Sequence, residues 1–433
     1  MAALRRRGLT VQGFKIGPDF IDPGFHALVT GRPSYSLDSF MCGKDGVRDT
    51  FARASAGADI AVVEGMMGCF DGVGSDDPGS TAEIAKWLGA QVVFVVDARA
   101  SSRSAAAVVV GAEQFDASLS FAGVVANNVA SDAHATWVLE AIVKNCKSPA
   151  LGALRKDARF TMPERHLGLV TAAEGPFGEA RQRALAEAIE SSVDLDTMLA
   201  RVGVRRTNAP HDLPPPTPST PSKARIGIAH DLGFQFYYPE TFDRLRSAGA
   251  ELVFWSPEAA AELPDVDALY FGGGYPELRE KALSANAGVR RAVRAFVESG
   301  GPVYAECGGL MYLAGALEDM DGVRHEMVGV LPATVRMNPR HLCLGYASVT
   351  TTASSLLGAA GIAARGHEFH YSTLDPVPDT VARVYSVSNT RGETRAEGYQ
   401  IRNALISYVH VHFGSNHALA PAFVDAAVRY RGR

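Results

Sequence analysis

Cys307 is the residue whose surroundings in the sequence best fit a catalytic nucleophile. It stands in Gly301-Pro-Val-Tyr-Ala-Glu-Cys-Gly-Gly-Leu310, where an apolar strand is predicted to meet a helix and two glycines follow the thiol. Such a turn is tight, exposes its side chain at a sheet edge and places the sulfur at a helix N-terminus, which favours the thiolate. A lone cysteine in a strand–helix turn is equally compatible with a small buried apolar residue. The partners of the thiol must therefore be sought elsewhere in the chain.

Two other stretches supply what a cysteine nucleophile needs. Leu269-Tyr-Phe-Gly-Gly-Gly-Tyr-Pro-Glu277 ends a predicted strand in three glycines, and the backbone N–H groups of Gly273 and Gly274 are suited to an oxyanion hole. Downstream, Ser407-Tyr-Val-His-Val-His-Phe413 contains His410 and His412. Side chains at i and i+2 of a strand face the same way, so both histidines are candidates for the general base.

A second group of charged residues lies near the N-terminus. Lys15-Ile-Gly-Pro-Asp-Phe-Ile-Asp-Pro-Gly-Phe-His26 places Asp19 and Asp22 in a loop held by glycine and proline, with Lys15 before them. Ile60-Ala-Val-Val-Glu-Gly-Met-Met-Gly-Cys-Phe-Asp-Gly72 ends a strand in Glu64 and continues to Asp71. Carboxylates of this kind suit a magnesium–phosphate site, with Glu64 as metal ligand and the lysine as a counter-charge for phosphate. Asp-Pro is also a common turn starter, which is the structural alternative.

These residues are carried by two predicted domains. The segment 205–223 contains six prolines in nineteen residues and cannot pack as a helix or an inner strand, so it is predicted to be a linker. It separates an N-terminal domain at 1–204 from a C-terminal domain at 224–433. In both, short β-branched runs alternate with helical stretches, which predicts doubly wound α/β domains. In the second half, strands are expected at Lys223–Ala229, Ala268–Phe271 and Pro302–Ala305, and helices at Glu240–Ala248, Val289–Glu298 and Leu310–Ala316.

Composition excludes several classes of protein. The 433 residues include 47% hydrophobic and 21% charged residues with a formal net charge of −5, which is ordinary globular composition and offers no basic face for nucleic acid. The five cysteines lie far apart, which argues against a disulfide framework or a zinc site and favours the cytoplasm. Apolar runs have strand length, so no membrane segment is predicted.

The C-terminal motifs resemble those of class I glutamine amidotransferases, in the branch found in cobalamin-pathway amide synthases. In that branch the cysteine attacks the side-chain amide of L-glutamine, forms a thioester and releases ammonia, and a histidine moves the protons. The resemblance implies these roles for Cys307 and, because Ser407-Tyr-Val-His410 matches the ending of this branch, for His410. His412 remains the alternative.

The N-terminal strings, with Met162-Pro-Glu-Arg-His-Leu-Gly-Leu-Val170, are similar to those of cobyrinate a,c-diamide synthases over essentially the whole chain. The resemblance implies a fold like that of dethiobiotin synthetase. It also implies ATP and Mg²⁺, which would activate the a and c acetate carboxylates of a corrinoid dicarboxylate, cobyrinate or hydrogenobyrinate, for amidation. Lys15 and the four acidic residues match the synthetase site of the family. A homodimer is compatible with it.

One departure from the family pattern concerns phosphate binding. Members begin with a strand and a phosphate loop of the form GxxxxGK[ST], and no such string occurs here. The expectation is that this first strand and loop precede Met1 in the natural protein, since a chain without them should lose phosphoryl transfer. The alternatives are a truncated, non-catalytic corrinoid- or nucleotide-binding protein, or a nickel-sirohydrochlorin a,c-diamide synthase, which shares the N-terminal strings. The cobyric acid synthase type, a further rival, should lack them.

The string Arg365-Gly-His-Glu-Phe-His370 carries three more candidate site residues. His367, Glu368 and His370 are expected either to line a corrinoid cleft or to form the polar edge of a strand.

Overall fold

The computed structural model describes residues 1–162, 169–175, 177–204 and 222–432. Nearly all of the predicted linker and most of the string that begins at Met162 lie outside these ranges. The chain divides into two compact units, Met1–Ser39 with Val47–Leu213 and Phe40–Gly46 with Pro214–Arg433. The sequence analysis did not assign Phe40–Gly46 to the glutaminase half.

The first unit is built from parallel strands and helices in alternation. Its strands are β1 (Val11–Ile16), β2 (Tyr35–Leu37), β3 (Ile60–Glu64), β4 (Gln91–Asp97), β5 (Ser120–Val129) and β6 (Ala150–Arg155). Its helices are α1 (Ala2–Arg6), α2 (Asp22–Thr30), α3 (Ser39–Ala54, kinked at Gly43), α4 (Thr81–Leu88), α5 (Arg103–Phe115), α6 (Asp132–Asn145), α7 (Glu179–Ser192) and α8 (Leu195–Val202).

These strands form two three-stranded parallel sheets, ordered β2-β1-β3 and β4-β5-β6. Within the described ranges β3 and β4 do not pair with each other, so each leaves one edge without a neighbouring strand. Helix α4 contributes to the cores of both sheets, with Ile84 beside Phe14 and with Ala82 and Ala85 beside Val92. The two sheets thus share a helical layer although no strand joins them.

The second unit contains the remaining elements. Its strands are β7 (Ala224–Ala229), β8 (Ala250–Trp255), β9 (Ala268–Phe271), β10 (Val303–Glu306), β11 (Ala314–Glu318), β12 (Arg324–Glu326), β13 (Leu331–Met337), β14 (Cys343–Thr351), β15 (Ala363–His370), β16 (Ser372–Leu374), β17 (Ala382–Asn389), β18 (Thr394–Ile401), β19 (Ala404–Ser407) and β20 (His410–Val411). Its helices are α9 (Pro239–Ala248), α10 (Glu280–Ala285), α11 (Ala287–Glu298), α12 (Gly308–Leu313) and α13 (Leu419–Arg431).

The main sheet of this unit has the order β20-β15-β14-β17-β18-β19-β10-β9-β7-β8 among the described residues. Strands β19, β10, β9, β7 and β8 are parallel, as in a doubly wound fold, whereas β20, β15, β14, β17 and β18 extend the sheet with antiparallel pairs. The antiparallel part was not predicted. The predicted helix Leu310–Ala316 was wrong in its second half, because Ala314–Glu318 pairs with β12 and β13 as a strand.

Two apolar layers hold the second unit together. One contains Phe271, Val303 and Leu310, and the other contains Tyr270 and Tyr304, all at most 1% exposed. Strand β10 therefore runs through the middle of the core, and its C-terminal end delivers the next residue, Cys307, to a fixed place. Among the described residues, no helix is long and apolar enough to span a membrane.

Candidate active site

Cys307 occupies a strained turn between β10 and α12. Its backbone has φ +47° and ψ −99°, an unusual conformation for a residue with a side chain. The two residues that follow must be glycine for steric reasons. A Cβ on Gly309 would lie 2.4 Å from the carbonyl oxygen of Phe271, and one on Gly308 would lie 3.1 Å from the nitrogen of Gly274. This geometry is that of a nucleophile elbow.

The thiol lies in an apolar environment. Cys307 is 5% exposed, and its Sγ donates to the carbonyl oxygen of Phe369 at 3.7 Å. Burial, with a smaller effect of the Glu277 charge, raises the pKa of the thiol, although the N–H of Gly308 acts in the opposite direction. Desolvation therefore opposes the thiolate that the N-terminus of the short helix α12 was expected to favour.

Gly273 and Gly274 lie beside this turn, directly after β9. The carbonyl oxygen of Gly273 accepts hydrogen bonds from the backbone N–H groups of Gln235 and Phe236, both at 3.0 Å. These bonds fix the orientation of the peptide that joins the two glycines. Because the nitrogen of Gly274 faces the residue after Cys307, this N–H is placed where an oxyanion donor is needed.

His410 lies against the same glycines. A Cβ on Gly273 would be 2.3 Å from Cε1 of His410, so the ring occupies the space that this glycine leaves free. In the sheet, His410 pairs with His367 of β15, and their rings stack with centroids 4.9 Å apart. Burial, followed by the charge of His367, lowers the pKa of His410 far below its usual value. Burial therefore favours the neutral imidazole, which is the form in which a histidine can accept a proton.

His412, the alternative base, has other neighbours. Strand β20 ends at Val411, and His412 precedes a 3₁₀ turn in which its Nδ1 accepts the N–H of Gly414 at 3.0 Å. The ring packs on Tyr238 at 4.4 Å between centroids, and Sγ of Cys42 lies 3.4 Å from Nδ1. The ring of His410 lies close to Gly273. Nδ1 of His412 instead accepts the N–H of Gly414.

Two buried carboxylates that the sequence analysis missed brace this region. Glu306 accepts the hydroxyl groups of Tyr270 and Tyr304, each at 2.7 Å, and the N–H of Val411 at 2.8 Å. Glu397 accepts the hydroxyl of Ser407 at 2.6 Å and the N–H of Tyr408 at 2.8 Å. Burial raises the pKa of both carboxyl groups to about 7. Glu306 directly precedes the nucleophile, which is a signal that sequence reasoning had available; Glu397 had none.

The other candidates on β15 also lie near the thiol. Glu368 and His370 flank Phe369, whose carbonyl accepts the thiol, and His370 stacks on Tyr408 with centroids 3.9 Å apart. His367 is 2% exposed and its Nδ1 lies 2.9 Å from the hydroxyl of Tyr238. The string is therefore a largely buried strand and not the polar edge of one.

In the first unit, Lys15 gathers most of the predicted acidic residues. Its Nζ lies 2.6 Å from Asp22, 3.2 Å from Glu64 and 3.8 Å from Asp19. Glu64 ends β3 and also contacts Nε2 of His26 at 2.5 Å. Burial acts to raise the pKa of Glu64, but the hydrogen bond to His26 and the charge of Lys15 outweigh it and lower the pKa.

Two residues of this unit depart from the prediction. His26, quoted in the motif but not predicted as a site residue, is buried between Glu64 and the hydroxyl of Ser34, 3.0 Å from its Nδ1. Asp71 instead accepts the N–H of Gly68 at 2.8 Å within its own turn. The structure thus joins Lys15, Glu64 and His26, and gives Asp71 a local hydrogen bond.

The donor set of this cluster fits Mg²⁺ in kind, since that ion prefers carboxylate oxygens. Oxygens of Asp19, Asp22 and Glu64 converge on one ammonium group, so the site tolerates a cation at their centre. Both oxygens of Glu64 are engaged, by Lys15 and by His26. A metal held by Glu64 would therefore have to displace one of these contacts.

Two protein-family models match separate parts of the chain. The CobB/CobQ-like glutamine amidotransferase domain family matches residues 225–418, and an AAA domain family matches residues 42–164. The predicted fold class, a P-loop-type α/β region followed by a glutamine amidotransferase domain, is confirmed.

Curated relatives match over nearly the whole length. A cobyrinate a,c-diamide synthase of Syntrophotalea carbinolica is 45% identical over 98% of this chain and 93% of its own, and one of Listeria monocytogenes is 42% identical over 99% and 95%. Among solved structures, a glutamine amidotransferase covers 47% of this chain and 98% of its own at 20% identity, with a TM-score of 0.34.

Proposed function

The chain belongs to the cobyrinate a,c-diamide synthase family and is a glutamine-dependent amidating ligase, and from this membership we propose that it amidates the a and c acetate carboxylates of a corrinoid dicarboxylate. The observation that carries the proposal is the convergence of Cys307, His410 and the Gly273–Gly274 peptide in the second unit. The corrinoid is proposed as the substrate because the relatives are cobyrinate a,c-diamide synthases.

In the glutaminase half-reaction, Cys307 is the nucleophile. His410 takes the thiol proton as the sulfur attacks the amide carbon of glutamine, and the N–H of Gly274 stabilises the oxyanion. The imidazolium returns the proton to the leaving nitrogen, so ammonia departs and a thioester remains. Water, deprotonated by His410, hydrolyses the thioester to glutamate and restores the thiol. Because burial favours the neutral form of both groups, the transfer starts from a neutral imidazole and a neutral thiol.

In the synthetase half-reaction, we propose that the γ-phosphoryl group of ATP moves to an acetate oxygen, releasing ADP. Ammonia then attacks the acyl carbon, phosphate leaves and an amide forms. Mg²⁺ would supply charge neutralisation of the phosphates, and Glu64 with Asp19 or Asp22 would hold it. Lys15 would contact a phosphate oxygen, and its ion pairs with the surrounding carboxylates support a charged ammonium group for that role.

The test is amidation of cobyrinate and hydrogenobyrinate by the 433-residue chain, with ATP and either glutamine or ammonium chloride. Amide formation from both nitrogen sources supports the ligase. In Cys307→Ala, the glutamine-dependent reaction should fall at least 10²-fold while the ammonia-dependent one persists. Glutaminase activity without ATP-dependent amidation would contradict the proposed ligase activity, and loss of both reactions in Cys307→Ala would contradict the separate roles of the units.

A further inference from the structure

The thiol of Cys307 lies beside a pair of opposite charges that the glutaminase steps above do not use. Arg395 on β18 forms an ion pair with Glu368 on β15. Phe369, the residue after Glu368, accepts the thiol at its carbonyl oxygen. The side chain of Glu368 is 9% exposed and that of Arg395 is 46% exposed, so the carboxylate lies deeper and the guanidinium lies nearer solvent.

Arg395 is also linked to the nucleophile through Glu397 and Ser407. The charge of Glu397 acts on Arg395, and Glu397 accepts the hydroxyl of Ser407 at 2.6 Å. The carbonyl oxygen of Ser407 in turn accepts the N–H of Cys307 at 2.8 Å. Hydrogen bonds therefore link Glu397 to the backbone of the nucleophile, and the charge of Glu397 acts on the guanidinium of the ion pair.

Glutamine needs more than a nucleophile at its amide. Its amide carbon lies three carbon–carbon bonds from an α-carbon that bears an ammonium and a carboxylate. These two charges must be desolvated when the amide enters a buried site, and each then requires a partner of opposite sign. A planar guanidinium matches a carboxylate with two parallel hydrogen bonds.

We propose that Glu368 and Arg395 form the binding site for the α-amino-acid end of glutamine, with Glu368 accepting the α-ammonium and Arg395 donating to the α-carboxylate. The assignment rests on the proposed role of Cys307 as glutaminase nucleophile. A zwitterion laid against an ion pair gives each protein charge a second partner of the correct sign, so neither is left uncompensated. Because Arg395 is more exposed to solvent than Glu368, we infer that the amino acid enters from the side of Arg395.

A metal at this place is the competing interpretation. Ligand atoms of Cys343, Glu368 and His370 lie within 4.8 Å of one another, which is a spacing that a transition metal could contract. Arg395 already supplies a positive charge to Glu368. A bare metal ion at this carboxylate would face the guanidinium with no opposite charge beside it, whereas the α-ammonium of glutamine comes with an α-carboxylate for the guanidinium, so the amino-acid ligand is favoured.

The test compares three amides: L-glutamine, glutaramate, which lacks the α-ammonium, and 4-aminobutanamide, which lacks the α-carboxylate. Ammonia release by the full chain gives kcat and KM for each. We expect the KM of the unaltered protein for both truncated amides to exceed that for L-glutamine by about 10- to 100-fold, the loss typical of one charged hydrogen bond. Equal KM values for all three would overturn the proposal without any variant.

The variants show which residue binds the α-ammonium of glutamine and which binds the α-carboxylate. Glu368→Gln should raise KM for L-glutamine about tenfold and leave KM for glutaramate unchanged. Arg395→Gln should raise KM for L-glutamine and leave that for 4-aminobutanamide unchanged, and Arg395→Lys should recover part of the loss. Arg336→Gln, which removes an exposed ion pair with Asp375 in the same unit, is the matched control and should behave as the unaltered protein.

Each remaining outcome has a meaning. Equal loss with all three amides, whether in kcat or in KM, would assign the ion pair a structural role and overturn the proposal. If the unaltered protein released no ammonia from L-glutamine, the proposed glutaminase function itself would fail, and binding of L-glutamine to the protein by calorimetry would then decide the subsite. Tenfold weaker binding of L-glutamine to Glu368→Gln would support the proposed subsite, and unchanged binding would overturn it.

Discussion

The carboxylate of Glu306 accepts the backbone N–H of Val411 at 2.8 Å. This bond ties the residue before the nucleophile to the residue after the proposed base, although the two segments are far apart in sequence. Both ends are buried, with Glu306 2% and Val411 1% exposed. The distance between Cys307 and His410 is therefore set by a buried hydrogen bond as well as by the pairing of strands.

Glu306→Gln should lower kcat for ammonia release from glutamine by about tenfold with a smaller change in KM, because the amide disturbs the bonds to Tyr270 and Tyr304. The discriminating measurement is the pH profile of kcat/KM. Burial raises the pKa of Glu306 to about 7, so a limb near pH 7 should disappear in the variant. Glu393→Gln, on an exposed turn, is the control. A variant with unaltered kcat and an unaltered profile would show that Glu306 does not position the base.

Substitution of His410 and substitution of His412 should lower the rate of ammonia release to very different extents. His410→Asn removes the ring beside Gly273 and should lower kcat by about 10²- to 10⁴-fold, the usual contribution of a general base. In His412→Asn, the side-chain oxygen still accepts the N–H of Gly414, so ammonia release should stay within a few-fold of the unaltered protein. Rates of ammonia release under saturating glutamine test this directly. The opposite pattern would assign the base to His412.

Much of the nucleophile's setting was predictable, because it is encoded locally. A strand that ends in Cys307 followed by two glycines, and a strand that ends in Gly272–Gly274, are each read from fewer than ten consecutive residues. The Lys15 and Glu64 strings were equally short, and parallel pairing of β1 with β3 places these two residues opposite each other. Local patterns determine such elements, and the neighbouring strand order follows from the doubly wound fold.

What the sequence did not reveal depends on distant pairing and on burial. His367 meets His410 only through the register of β15 with β20, and Glu397 reaches Ser407 only because β18 turns back on β19. These pairings are antiparallel additions to the predicted sheet. The protonation state of Cys307 was also unpredictable, since the desolvation that raises its pKa comes from residues throughout the core.

Gly309→Ala should destabilise the second unit. Its Cβ would lie 2.4 Å from the carbonyl oxygen of Phe271, so either the helix that follows the nucleophile or β9 must shift. Overpacking of this kind costs about 1–3 kcal/mol, and the shift should also lower kcat for ammonia release. Urea unfolding measures the free energy of unfolding, and ammonia release from glutamine measures kcat. Gly345→Ala, where a Cβ meets nothing within 4 Å, is the control, and equal effects of the two substitutions would contradict the steric explanation.

The stability of the second unit should fall on acidification below about pH 6.5, the usual pKa of histidine. Burial lowers the pKa of His367 and of His412 to about 3 and that of His370 to about 4, and it lowers that of His410 as well. The unfolded chain therefore binds four protons that the folded unit does not, and burial of His230, which also lowers its pKa, acts in the same direction. Glu306 and Glu397, with pKa values raised to about 7, act in the opposite direction between about pH 4.5 and 7.

Near pH 5.5 the four histidines outweigh the two carboxyl groups by about two protons, so the free energy of unfolding should rise by about 2.7 kcal/mol per pH unit towards neutrality. Urea denaturation between pH 5 and 7 measures this slope. His367→Gln removes one of the four histidines, and its slope should be about half as steep in the same range. A stability that falls as the pH rises from 5 to 6.5 would mean that these imidazoles are charged in the folded protein, and the neutral resting state inferred for His410 would then be wrong.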